Sequence, residues 1–268
     1  METAPETLTP KAALLDVYPP ARVFAIISWG AAATSWLAWA LNAHPDIYCV
    51  HAANHFWNVL GNAPRLDGVE YIQLLSRQGS AHRVAGDVHG VSRHLVPAIR
   101  KAFGDAFRSA VVIRDPLPRL RSQYALMNRY KEYHCYDVSY VDGLIDRLNL
   151  PVAKDDFDRK LSVHGINMLN AIVEEVAVGP VFKSEELTSD SQALERLIHA
   201  IAGQDTVVDA QWCQRIVASP PRNSHRRHET DILSEPWFRD LISRVVRPEA
   251  WELYHKYGYE PPAFLKSH

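Results

Sequence analysis

The sequence has little of what would assign it to a class at once. It contains only three cysteines, Cys49, Cys135 and Cys213, widely spaced and without a Cys-x-x-Cys pair. That excludes a disulfide framework and a cysteine-based zinc site, and it is the pattern of a reducing compartment. No apolar run approaches the ~18–20 residues a membrane-spanning helix needs. The stretch METAPETLTPKAALLDVYPP carries acids and prolines in place of the apolar centre of a secretory signal. The expectation is a cytoplasmic protein with no membrane partner. An excess of charge is missing too: 29 Lys and Arg against 31 Asp and Glu leave a formal net charge of -2. A general attraction to nucleic acid is thereby excluded, and any anion site must be a local gathering of basic groups. Neither an internal repeat nor a linker is evident, so residues 1–268 are expected to form one domain, with 1–20 a loosely ordered extension.

What is present is alternation. RVFAIIS (22–28), IYCV (47–50), HRVAGDVHG (82–90), SAVVIRDP (109–116) and GPVFKS (179–184) are short runs of strand character. Between them lie amphipathic stretches predicted to be helices over 34–43, 69–78, 92–103 and from 116 to about 130. Strands separated by helices imply parallel βαβ units, an α/β fold with a central parallel sheet flanked by helices. The second half is predicted to be mostly helical, with helices over 163–176, 189–203, 206–218 and 234–257.

Two stretches carry chemistry. SWGAAATSWL (28–37) empties the first strand into a turn of small residues and then a helix for which Thr34 or Ser35 is the expected cap. Backbone N–H groups and the positive end of a helix can hold a phosphate in such a turn. A helix-packing turn reads equally well. The Gly-Lys-Ser/Thr ending of a Walker loop is absent, and so is any Lys or Arg. VVIRDPLPRLRSQY (111–124) is more specific. Arg114 ends a strand, where ligands gather in open α/β sheets, and Ser122 follows about two helical turns later. A guanidinium fork and a hydroxyl converging on one oxyanion make a phosphate site, with Arg119 and Arg121 adding charge nearby. The alternative is a structural ion pair between Arg114 and Asp115.

Together VFAIISWGAAATSWLAWALNAHPDI, GDVHGVSRHLVPAIRKAF, AVVIRDPLPRLRSQY, VFKSEELTSDSQALERLIHAIAG and YHKYGYEP resemble the sulfotransferases that use 3'-phosphoadenosine 5'-phosphosulfate (PAPS). The resemblance spans roughly residues 22 to 260. It implies a P-loop-like sulfotransferase fold and transfer of the sulfuryl group from PAPS, without a metal, to a hydroxyl or amine of a small-molecule acceptor. It implies that Gly30, Ala31, Ala32, Ala33, Thr34, Ser35 and Trp36 bind the 5'-phosphosulfate, and Arg114 and Ser122 the 3'-phosphate. It also implies a loop closing on the nucleotide. SPPRNSHRRHET (219–230), with Arg222, Arg226 and Arg227, is the dense basic loop available, and a solvated surface is the other reading of it.

The chain departs from that pattern in two places. Ala31 stands where the family usually has Lys or Arg, a cation that stabilises charge on the leaving phosphate oxygen. Lys183, Arg83, Arg93 or a histidine could replace it. Ser184 stands where relatives often have a tyrosine beside the adenine, which leaves Trp36 to stack there. For the general base, His89 occupies the stretch where cytosolic relatives place their catalytic histidine, and His51 is the alternative; neutral imidazole, with its ordinary pKa of about 6.5, suits the task. The aromatics of HAANHFW (51–57) and YKEYHCY (130–136) would flank the acceptor, or belong to the core. Two other readings stay open: an enzyme of the same fold with a different phosphorylated donor, and a nucleotide-binding relative without turnover. A homodimer is one oligomeric state the sequence permits.

Overall fold

The computed structural model describes residues 22–29, 31–54, 66–130, 138–219 and 231–265. Five strands form one parallel sheet: β1 (Arg22–Ile27), β2 (Ile47–His51), β3 (Val84–Val88), β4 (Phe107–Ile113) and β5 (Val181–Lys183), in the order β2-β3-β1-β4-β5. Register is set along β1, where Ala25 lies between Asp87 of β3 and Ser109 of β4. The strands are apolar on both faces, as a sheet covered on both sides requires.

The period-two alternation of β1 assigns the layers. Val23, Ala25 and Ile27 point into one core, Phe24 and Ile26 into another. Helix α1 (Thr34–Asn42) lays Leu37 and Leu41 on the second. Helices α2 (Gly68–Gln78), α3 (Val96–Phe103) and α4 (Pro116–Tyr130) contribute Ile72, Ile99 and Leu120 to the first. The chain therefore leaves β1 toward one face and β4 toward the other. Adjacent parallel strands whose connections diverge open a crevice at their carboxyl ends, the usual ligand position in such sheets.

The second half is helical: α5 (Val141–Leu148), α6 (Phe157–Asn167), α7 (Ile172–Glu175), α8 (Ser184–Leu187), α9 (Ser191–Ala202), α10 (Ala210–Val217), α11 (Pro236–Val245) and α12 (Pro248–Lys256). Three expectations are corrected. The helix predicted over 163–176 begins at Phe157, because the Asp156 carboxylate accepts the Arg159 amide, and it is interrupted by a 3-10 turn at Met168–Ala171. There Asn170 turns its side chain away to meet the Val245 carbonyl and the Arg247 amide. The helix predicted over 234–257 is two, since Val246 and Arg247 are extended and Pro248 starts a new helix. Helix α5 was not anticipated; its short apolar face is Val141, Leu144 and Ile145, with Leu148 partly buried beside them. No helix among the described residues is long and apolar enough to cross a membrane.

Candidate functional site

The crevice between β1 and β4 has the turn after β1 on one side. Ala31 has φ 66 and Ala33 φ 56, the left-handed region that alanine rarely adopts. Ala33, not Thr34 or Ser35, is the N-cap of α1. No side chain caps that helix end and its first turn holds no acidic residue. The opening N–H groups of α1 are consequently left to other acceptors. Aspartates 67, 156, 190 and 209 cap α2, α6, α9 and α10 instead. Ala32 is buried, and the Trp36 ring is packed in the core with Phe24 and Leu37. Gly30 lies outside the described residues, as do Arg222, Arg226, Arg227 and most of the two aromatic stretches.

The turn after β4 reaches across to meet it. Arg114 donates through the same Nη1 to the Ala31 carbonyl and, at 3.3 Å, to Ser122 Oγ. Asp115 does not serve as its partner: the Asp115 carboxylate accepts the Leu117 amide at 3.0 Å and so caps the first turn of α4. The Asp115 amide donates to Glu185 Oε1 at 3.0 Å, and Glu185 Oε2 accepts the Tyr259 hydroxyl at 2.7 Å. Glu185 thus ties the residue after Arg114 to the segment that follows α12. The EEL and YGYE segments meet here, a contact that neither segment announces by itself.

The neighbouring arginines do not add to the crevice. Arg121 makes a two-pronged ion pair with Asp231, both bonds 2.7 Å. Arg119 is buried, and its Nη1 donates to the Tyr254 hydroxyl at 3.2 Å. Of the cations proposed to replace the one missing at Ala31, Arg83 precedes β3 and pairs with Asp205, which also holds Arg22 at the start of β1. It belongs to the opposite end of the sheet. Lys183 is bound to Glu186 at 3.1 Å and lies over the Tyr259 ring. Arg93 is beside the turn, 5.7 Å above the Trp29 ring, with its Nε on Glu174 at 2.6 Å.

Two histidines close the other flank. His89 follows β3 at φ 77, held there by its amide on the Ile26 carbonyl at 3.0 Å and by Nδ1 on the Ser28 carbonyl. A carbonyl only accepts, so Nδ1 carries the proton and, in the neutral ring, Nε2 carries the lone pair. A histidine in left-handed backbone costs roughly 1–2 kcal/mol, a strain of the kind that gathers at working sites. His51, the last residue of β2, places Nε2 2.9 Å from Thr34 Oγ1 and stacks on His89 with ring centroids 6.2 Å apart. Burial, and then the neighbouring His89, push its pKa down to about 4.

Beneath them is Asp87, fully buried. Its carboxylate accepts the Tyr71 hydroxyl, the Gly90 amide and, at 3.2 Å, the Ala53 amide. Burial raises its pKa to about 7 although those donors pull the other way. Asp87 thus fixes the chain just after both histidines. Gly90 is needed for it, since a Cβ there would sit 2.5 Å from the carboxylate. Composition and spacing gave no sign of this residue, because a buried carboxylate reads like any other acid. Among the described residues no group of three or more His, Cys, Asp or Glu could hold a metal ion.

No family model matches the chain, and no curated protein matches it. The solved structure of a sulfotransferase from Alicyclobacillus acidocaldarius is similar to it, with 15% identity, a TM-score of 0.48, and coverage of 93% of this chain and 100% of that one.

Proposed function

We propose that this protein is a cytoplasmic enzyme that transfers the sulfuryl group of PAPS to a hydroxyl or amine of a small-molecule acceptor. The observation that supports the reading is the guanidinium of Arg114, which bonds both Ser122 and the Ala31 carbonyl and so links the two stretches expected to bind anions. The uncapped start of α1 and the Thr34 hydroxyl suit the 5'-phosphosulfate. Arg114 and Ser122 suit the 3'-phosphate. His89 takes the acceptor proton at Nε2 while the acceptor oxygen forms its bond to sulfur. The bond from sulfur to the 5'-phosphate oxygen breaks and 3',5'-ADP leaves with that electron pair. No side chain of residues 28–36 is basic. Loss of one such stabilising donor costs on the order of 100- to 1000-fold in rate, which predicts a slow enzyme. The same absence favours, as second reading, a binding protein without turnover.

Calorimetry with 3',5'-ADP and with ADP tests the donor. Preference for the 3'-phosphorylated nucleotide is expected, and equal or absent binding removes PAPS. Mass spectrometry of acceptor mixtures incubated with PAPS then separates enzyme from binder by a gain of one SO3 group.

A further inference from the structure

Strands β2 and β3 end in the same way, around one carboxylate. The Ala52 amide extends the ladder past β2, onto the Val88 carbonyl at 2.9 Å, and the His89 amide does so past β3, onto the Ile26 carbonyl at 3.0 Å. Both residues then turn left-handed, Ala52 at φ 51 and His89 at φ 77. Both following amides swing inward onto buried Asp87: Gly90 onto Oδ1, and Ala53 onto Oδ2 at 3.2 Å. The Tyr71 hydroxyl of α2 donates to Oδ2 as well. Left-handed backbone is costly for a residue with a Cβ, and it persists where the surroundings over-determine it. Here both turns close on the same side chain. We propose, resting on the reading above, that Asp87 is a positioning residue for sulfuryl transfer: it holds His89 in left-handed backbone and so aims Nε2, while the same carboxylate fixes the turn after His51.

The bond between His89 Nδ1 and the Ser28 carbonyl depends on that backbone. If φ relaxes, the ring leaves the carbonyl and the choice of tautomer is no longer fixed. The donors around Asp87 say which substitution does this. Amides only donate, whereas a hydroxyl also accepts. A carboxylate takes all three donors at once. An asparagine has one acceptor oxygen, and of these three partners the Tyr71 hydroxyl, on the Oδ2 side, is the one able to accept from its NH2. Asp87→Asn therefore keeps its oxygen on the Gly90 amide and turns its NH2 toward Tyr71, which releases Ala53. Asp87→Ala releases both amides.

The test compares wild type, Asp87→Asn and Asp87→Ala, with 3',5'-ADP binding as the check that the Arg114 side is intact. Asp87→Ala is expected to lose roughly 100-fold in kcat, the scale of a catalytic group displaced by about 1 Å, and Asp87→Asn to recover most of it. Nitrogen nuclear magnetic resonance of the His89 ring is expected to show the Nδ1–H form in wild type and Asp87→Asn, and a mixture of tautomers in Asp87→Ala. Equal kcat in wild type and Asp87→Ala overturns the inference. So does an equal loss in both variants, since the effect would then follow charge and not the hold on Gly90. Should Asp87→Ala fail to fold, hydrogen exchange in Asp87→Asn decides: the Ala53 amide exchanges faster than in wild type while the Gly90 amide stays slow, and any other pattern overturns the assignment. Absence of 3',5'-ADP binding or of turnover by wild type overturns the sulfuryl-transfer reading instead. The ring tautomer and the two amides still report what Asp87 holds.

Discussion

The turns after β1 and after β4 lie side by side at the carboxyl end of the sheet and are made of opposite materials. The first presents backbone: two alanines in left-handed conformation and a helix start without a side-chain cap. The second presents side chains: Arg114 and Ser122, with Asp115 braced by Glu185 and Tyr259. A backbone site is set by φ and ψ and is insensitive to most substitutions nearby; a side-chain site is lost with one atom group. The contrast says where each turn is vulnerable, and substitutions can break it.

The largest effect is expected beside the first turn, at the residue that would move a proton. His89→Gln should lower turnover by roughly 100- to 10000-fold, the range for a positioned base, with 3',5'-ADP affinity unchanged in calorimetry. Should His51→Gln abolish turnover while His89→Gln does not, the two histidines exchange roles. Next comes Arg114→Ala, which removes charged hydrogen bonds of about 1.5–3 kcal/mol and should weaken 3',5'-ADP binding roughly 10- to 150-fold. Arg114→Lys should recover little, since an ammonium cannot present a planar pair of N–H groups to a phosphate. Unchanged affinity in Arg114→Ala would leave the second turn with no part in binding.

A smaller effect belongs to the brace. Glu185 is exposed, so its bonds are partly screened. Glu185→Ala should weaken nucleotide binding about three- to tenfold through the Asp115 amide, with kcat little altered. Tyr259→Phe should act in the same direction. In the double variant the losses should fall short of their sum, because both remove one contact chain. Additive losses would show that the tail after α12 does not act through the Arg114 turn.

The alternation of β-branched runs with amphipathic stretches announced every strand of the sheet within a few residues, because a strand buried on both faces leaves a strong local mark. The positions of Arg114 at a strand's end and Ser122 on the following helix were equally readable, since the strand ends just before Pro116 and the helix begins there. What could not be read depends on distant chain. Arg83 and Arg93 look alike in sequence, but β3 lies between them and sends one to each end of the sheet. That Trp36 is buried in the same core cluster as Phe24 depends on how α1 packs on the sheet. The break at Met168–Ala171 answers to a carbonyl and an amide more than seventy residues away. Asp87 matters because three elements enclose it, and no local pattern records enclosure.

The smallest prediction examines the first turn most directly, because it concerns backbone alone. Ala33 has φ 56 and Ala31 φ 66, while Ala32 between them is buried and outside that region. An L-residue in left-handed backbone costs roughly 1–2 kcal/mol, and glycine escapes that cost at an entropic loss of about 0.4–1 kcal/mol in the unfolded chain. Ala33→Gly should therefore stabilise the protein, by roughly 0.5–1 kcal/mol, seen as a Tm higher by about 1–4 °C. Ala32→Gly should destabilise it by about 1–2 kcal/mol, since it removes a buried methyl and adds the same entropic loss without relief of strain. Opposite responses at neighbouring alanines would confirm that φ is positive at Ala33 and not at Ala32. If both substitutions lower Tm, the left-handed geometry is wrong, and the first turn loses the backbone form on which its half of the comparison depends.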